Sequence, residues 1–111
     1  MDVERFRADL REAGVEEMIG TLLDTFVEDA PRRFAALEQA TKSQDAKAVE
    51  AAAHAFKSGA GTIRATSLAD LLAQVETAAR TGRLDIVSDL LETIRYEYLV
   101  VMGELEAAHG K

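Results

Sequence analysis

Val87, Leu91, Ile94, Tyr98, Val101 and Leu105 recur alternately four and three residues apart. An α-helix with about 3.6 residues per turn puts all six on one stripe, whereas a strand would scatter them over both faces. The same spacing runs through most of the chain. Val3, Phe6 and Leu10 mark a short helix from about Asp2 to Ala13, closed by Gly14. Ile19, Leu23, Phe26, Ala30, Phe34 and Leu37 mark a second, from about Val15 to Thr41. Met18, Leu22 and Val27 widen its apolar arc to nearly half the surface, so it meets a neighbour on two sides or keeps a strip for a partner. Pro31 cannot donate to the carbonyl of Val27, so this helix is expected to kink or restart there.

After a polar connection from Lys42 to Gln44, Asp45 is placed to cap a third helix reaching about Ile63. Its stripe is Val49, Ala52, Ala53, Phe56, Ala60 and Ile63. Thr66 or Ser67 can cap a fourth, with Asp70 three residues after Ser67 imitating a capping box. Leu68, Leu71, Leu72, Val75 and Ala79 line its buried face, and Gly82 is a natural terminator. The final helix begins near Asp85, and Ala108 to Lys111 should fray. There is no β-alternation, repeat, low-complexity tract or domain boundary, so residues 1–111 read as one domain. Short connections make successive helices antiparallel. The expected fold is all-α, an antiparallel up-down-up-down four-helix bundle with a short extra N-terminal helix.

The third helix carries the feature that its own stability does not explain. At roughly 100° per residue, His54 points about 140–150° away from the middle of the buried stripe. Lys47, Glu50, Ala51, Lys57, Ser58 and Gly61 share its outward face. Apart from Glu50 and Lys57 on the flanks, the immediate surroundings are tiny. Gly59 and Gly61 stand where alanine would favour the helix by about 1 kcal/mol each. A histidine on such a cleared surface suits a nucleophile that a large molecule must reach; the plain alternative is an idle surface histidine.

Composition removes several other chemistries. No cysteine is present, so there is neither a disulfide framework nor a thiol mechanism. With 13 basic against 20 acidic residues the net charge is −7, which argues against nonspecific nucleic-acid binding. No apolar run approaches the length of a membrane span, and Met1-Asp-Val-Glu-Arg is no signal peptide. The other histidine, His109, lies near the C-terminus, so no convergent metal ligand set is visible. A Gly-rich phosphate loop followed by Lys-Ser/Thr is also missing, which leaves no visible ATP site.

The run His54-Ala-Phe-Lys57-Ser-Gly-Ala-Gly-Thr-Ile63, followed by Leu68-Ala-Asp-Leu-Leu and Val75-Glu76, resembles the histidine-containing phosphotransfer (HPt) domain family. That family's usual run is His-x-Leu-Lys-Gly-Ser-Ala-x-x-Leu-Gly. The chain keeps the histidine, an apolar residue at +2 and the lysine at +3. Ser58 replaces a glycine at +4, which narrows the approach to the imidazole. Arg64 replaces another at +10, where a left-handed helix cap would favour glycine.

The resemblance implies that His54 accepts a phosphoryl group from a receiver-domain aspartate and passes it to another receiver. Lys57 would then pair with a phosphoryl oxygen. Glu76, 22 residues after His54, falls where the family often places a Gln or Glu that hydrogen-bonds the imidazole; otherwise it is an ordinary exposed helix glutamate. Glu50, one turn before the histidine, could orient the ring instead. Glu50, Ala51, Ser58 and Gly61, with Met18 and Leu22 on the second helix, would form the docking face. The implied partners are response regulator receiver domains and a (hybrid) sensor histidine kinase. The chain itself would be a cytoplasmic monomer, not an enzyme, with no cofactor or metal of its own and Mg²⁺ on the receiver. Two other readings stay open. One is a helical adaptor that works without phosphorylation. The other is a kinase dimerisation domain, although such helices usually follow the histidine with an acidic residue and then a proline, where Ala55 and a Pro-free run stand here.

Overall fold

The computed structural model describes Arg5, Phe6, Ala8 and residues 18–109. Four helices follow in order: α1 (Ile19–Lys42), α2 (Ala46–Thr62), α3 (Thr66–Arg80) and α4 (Leu84–His109). Their contacts show that they alternate in direction. Glu50 meets Arg80 while His54 meets Glu76, so α2 and α3 run oppositely. Glu38 meets Arg95 while Phe34 stacks on Tyr98, so α1 and α4 do too. Each helix packs on the next and α1 packs on α4, closing the bundle.

Of the short helix expected at the N-terminus, Arg5, Phe6 and Ala8 are helical and Phe6 is buried in the core. The rest of that segment, Gly14 and the expected start of the second helix at Val15 lie outside the described residues. The apolar stripes read from the sequence are the core. Leu23, Phe26, Ala30, Phe34 and Leu37 of α1 face Val49, Ala53, Phe56 and Ala60 of α2, and Leu68, Leu72, Val75, Val87, Ile94, Val101 and Leu105 complete the interior. Phe56 sits at its centre, its ring centroid 6.4 Å from that of Phe26 and 6.0 Å from that of Tyr98. Burying a side chain of this size is worth about 1.5–3 kcal/mol. It also fixes the rotation of α2, and with it the direction of His54 two residues earlier.

Expectations about Pro31 and the helix ends fare unevenly, and the cap of α3 needs correction. Of the kink or restart expected at Pro31, the restart does not occur: helix α1 continues through that residue. Pro31 is exposed, one intrahelical bond is lost, and the buried Ala30 and Phe34 anchor the helix on either side. Neither Thr66 nor Ser67 caps α3; the cap position is Ala65, with no side-chain cap bond. The turn that closes α2 leads straight into α3: Ala65 N–H donates to Ala60 O at 2.8 Å, and its methyl is buried. That position needs a small apolar residue more than a hydroxyl. At the C-terminus α4 runs to His109, and the last two residues of the segment expected to fray lie outside the described residues. Asp45 does cap α2, accepting from Ala48 N–H at 3.1 Å.

The three connections share one design. Gln44, Arg64 and Gly82 each have positive φ, at 53°, 61° and 76°. Each donates to a carbonyl three residues back, and the next residue donates five back, the Schellman pattern. Only Gly82 takes this conformation without a Cβ penalty, which elsewhere is roughly 1–2 kcal/mol. Gln44→Gly is therefore expected to stabilise the bundle by about 0.5–1 kcal/mol, after allowing for the freer unfolded chain. Urea unfolding checks this, and an unchanged or lower midpoint would show that Gln44 is not strained.

Candidate functional site

Helix α2 buries Val49, Ala53, Phe56 and Ala60 and so turns His54 to the surface, where its side chain is 66 % exposed. On the α3 side of this crest stands Glu76. It occupies the same stripe as Leu72, Val75 and Ala79, and it is buried with them at 6 % exposure. It is not an exposed helix glutamate. Its Oε2 lies 3.2 Å from His54 Nδ1, and its Oε1 lies 2.6 Å from Lys57 Nζ. The lysine contact is an ion pair without the angles of a directed hydrogen bond, and Oε1 has no hydrogen-bond partner.

Burial alone would push the Glu76 carboxyl up. The close contacts and charges of Lys57 and His54 outweigh it and hold the group below its ordinary 4.5. An ionised carboxylate only accepts, so the imidazole proton belongs on Nδ1. In the neutral ring, Nε2 then keeps its lone pair. The arrangement can therefore present a fixed tautomer with a nucleophilic nitrogen.

Glu50, expected near the imidazole, turns away from it. Its Oε2 accepts from Arg80 Nε at 2.9 Å, joining α2 to α3 one turn from the histidine. Arg80 Nη2 also stands 3.9 Å from Glu76 Oε2. Sequence reasoning did not single out Arg80, although its place four residues after Glu76 on one helix was a usable signal. For the burial of Glu76, the usable signal was a glutamate at a stripe position of α3.

The other flank of the crest faces α1. A cleft of about 250 Å³ runs between the two helices, lined among others by Leu22, Thr25, Phe26, Arg33, Ser58 and Thr62. Three of these carry hydroxyls that are already engaged. Thr25 donates to Thr21 O at 2.8 Å, Ser58 to His54 O at 3.0 Å, and Thr62 to Ser58 O at 2.9 Å. The cleft therefore offers more apolar surface than its residue types suggest. Leu22 and Ser58 thus share this cleft, while Ala51 and Gly61 are exposed on α2. Met18, exposed just before α1, does not line it, and Glu50 is on the opposite flank. A Cβ added at Gly61 would meet nothing within 4 Å, so no packing inside the chain requires glycine there. Among the described residues, no group of three or more His, Asp or Glu is placed to hold a metal ion, and no helix is long and apolar enough to cross a membrane.

A search of curated proteins gives no match. Among solved structures the chain is similar to histidine-containing phosphotransfer protein B from Pseudomonas aeruginosa PAO1. The two are 34 % identical, with a TM-score of 0.85, over 94 % of this chain and 90 % of that one. The Hpt domain family matches residues 21–108, which include all of α2 and α3 and thus His54, Lys57 and Glu76. With the bundle, the outward histidine and this match together, the chain belongs to the Hpt domain family.

Proposed function

We propose that the chain is a phosphocarrier of a His–Asp multistep phosphorelay, with His54 as the residue that carries the group. One observation supports this most: an exposed imidazole whose Nδ1 is tied to the buried Glu76, which leaves Nε2 free. In the transfer, the Nε2 lone pair forms the N–P bond as the P–O bond to a receiver aspartate breaks, and that carboxylate leaves with the electron pair. The proton stays on Nδ1, where Glu76 balances the positive ring. Lys57, one turn away and 34 % exposed, can turn from Glu76 to a phosphoryl oxygen. Passing the group on reverses these steps. Positioning and charge balance are what phosphoryl transfer asks of a protein, and Mg²⁺ belongs to the receiver. On this reading the chain is a cytoplasmic, monomeric carrier and not an enzyme. It works between receiver domains and a sensor histidine kinase, and it binds no nucleic acid. Incubation with a phosphorylated receiver tests the reading. Acid-labile, alkali-stable label should appear on His54, and label elsewhere or none would reject the assignment.

The docking face on this reading comprises Ala51, Ser58 and Gly61 around the histidine, with Leu22 across the cleft and Met18 and Glu50 at its margins. Gly61 is exposed on α2 with open space beside it. Gly61→Leu should therefore slow transfer from a receiver at least tenfold while small phosphodonors modify His54 at the original rate. Helicity should hold or rise, because leucine is the better helix former. The ratio of receiver-driven to small-donor labelling decides: if it does not change, Gly61 does not serve access.

A further inference from the structure

The chemistry proposed for His54 makes no use of Arg80, yet Arg80 touches both carboxylates of the site. Its Nε donates to Glu50 Oε2 at 2.9 Å, and its Nη2 stands 3.9 Å from Glu76 Oε2, the oxygen that accepts from His54. The Arg80 side chain is 61 % exposed, and that of Glu50 is 36 % exposed. An ion pair so open to water contributes little as a strut between helices. Glu76 is in the opposite situation. It is buried, its close cation is Lys57, and Oε1 has no directed hydrogen bond. A charge in that position is costly without a cation beside it.

Lys57 therefore faces two demands. A phosphoryl group on His54 brings close to two negative charges within its reach. If Lys57 turns to that group, Glu76 keeps only the ring's Nδ1–H as a positive partner at the moment a new dianion arrives nearby. Arg80 is already within 4 Å of the carboxylate, and its planar fork of donors needs only about 1 Å of movement to bond it.

We infer that Arg80 is a reserve cation for Glu76, kept beside it by Glu50. When Lys57 turns to the phosphoryl group, the guanidinium leaves Glu50 for Glu76 and keeps the carboxylate seated under Nδ1. The inference rests on His54 being the phosphoacceptor. Arg80 acts through Glu76 and is a positioning residue.

Two substitutions that break the same ion pair separate this role from a strut. Arg80→Gln removes the reserve cation, whereas Glu50→Gln releases it toward Glu76. Phosphoramidate is a suitable probe because so small a donor does not depend on docking. Nε2 forms its bond to phosphorus as the donor's P–N bond breaks, and ammonia leaves with a proton from solvent. Arg80→Gln should slow labelling of His54 about tenfold, the scale of one lost charge-assisted bond. Glu50→Gln should label about twofold faster, the scale of a weak exposed pair released. The Arg80 Nε–H resonance should shift when the unsubstituted protein is phosphorylated, and in Glu50→Gln it should already lie near that shifted position. Equal losses in the two variants, or a resonance that phosphorylation does not move, would overturn the inference and leave the phosphocarrier reading intact. No label on His54 in the unsubstituted protein would remove the phosphocarrier reading, and the reserve cation with it.

Discussion

His54→Gln is expected to abolish phosphoryl acceptance from a phosphorylated receiver domain while the bundle stays folded. The loss should be complete because, among the described residues, no second nucleophile stands beside His54's place. Lys57 is engaged with Glu76, and the Ser58 hydroxyl is tied to the carbonyl of His54 itself. Stability should barely change. The ring is mostly exposed, the buried stripe of α2 is untouched, and glutamine is a good helix former. Surface changes of this kind usually stay within about 0.5 kcal/mol, which for a domain of this size moves Tm by no more than about 4 °C. Intact mass after incubation with a phosphorylated receiver domain, alongside thermal unfolding, checks both halves. A variant that still gains one phosphoryl group, or one that unfolds, would remove His54 from the role given to it here.

The reliable signal in the sequence was periodicity, because every helix of this bundle buries a continuous stripe. The stripe containing Val49, Phe56 and Ala60 fixes α2's orientation, and so His54's outward direction could be read before any coordinates. Contacts between helices could not be read in the same way. Glu76 faces His54 because α3 lies antiparallel to α2 at one particular register, and Glu50 meets Arg80 for the same reason. Nothing local to either helix encodes that register, which is set by how the core side chains interdigitate. The expectation for Glu76 came from family resemblance, and its burial follows from sharing a stripe with Leu72 and Ala79. Arg80 escaped notice because an exposed arginine near a helix end looks like ordinary complementation of the helix dipole. The cap expected for α3 failed for a related reason. Thr66 and Ser67 have the right chemistry to begin α3, but the turn ending α2 had already committed Ala65 to that position.

Glu76 is where fold and chemistry separate most cleanly. Glu76→Leu should slow phosphoryl acceptance by roughly 100-fold, within the range that correct protonation and orientation of a catalytic imidazole contribute. Without the carboxylate, the Nδ1 proton is no longer favoured and the ring is free to rotate. Glu76→Gln should cost only a few-fold, because its amide oxygen can still accept from Nδ1–H. The folding cost of the leucine should stay within about 1–2 kcal/mol. A buried charge exchanged for an apolar side chain of similar volume is often close to neutral, and Lys57, partly exposed already, can turn to water.

The two variants should also share a change in acid stability. The Glu76 carboxyl is held below 4.5 in the folded protein, so between that lower value and about 4.5 the unfolded chain binds more protons. Its contribution is fully present above pH 4.5 and falls away as the pH drops through the folded value. Both Glu76→Leu and Glu76→Gln should therefore lose less stability than the unsubstituted protein on acidification across that window, in urea titrations at a series of pH values. The decisive result is the contrast between the variants. If leucine and glutamine gave equal rates at neutral pH, the carboxylate would belong to the stability of the bundle and not to the orientation of His54.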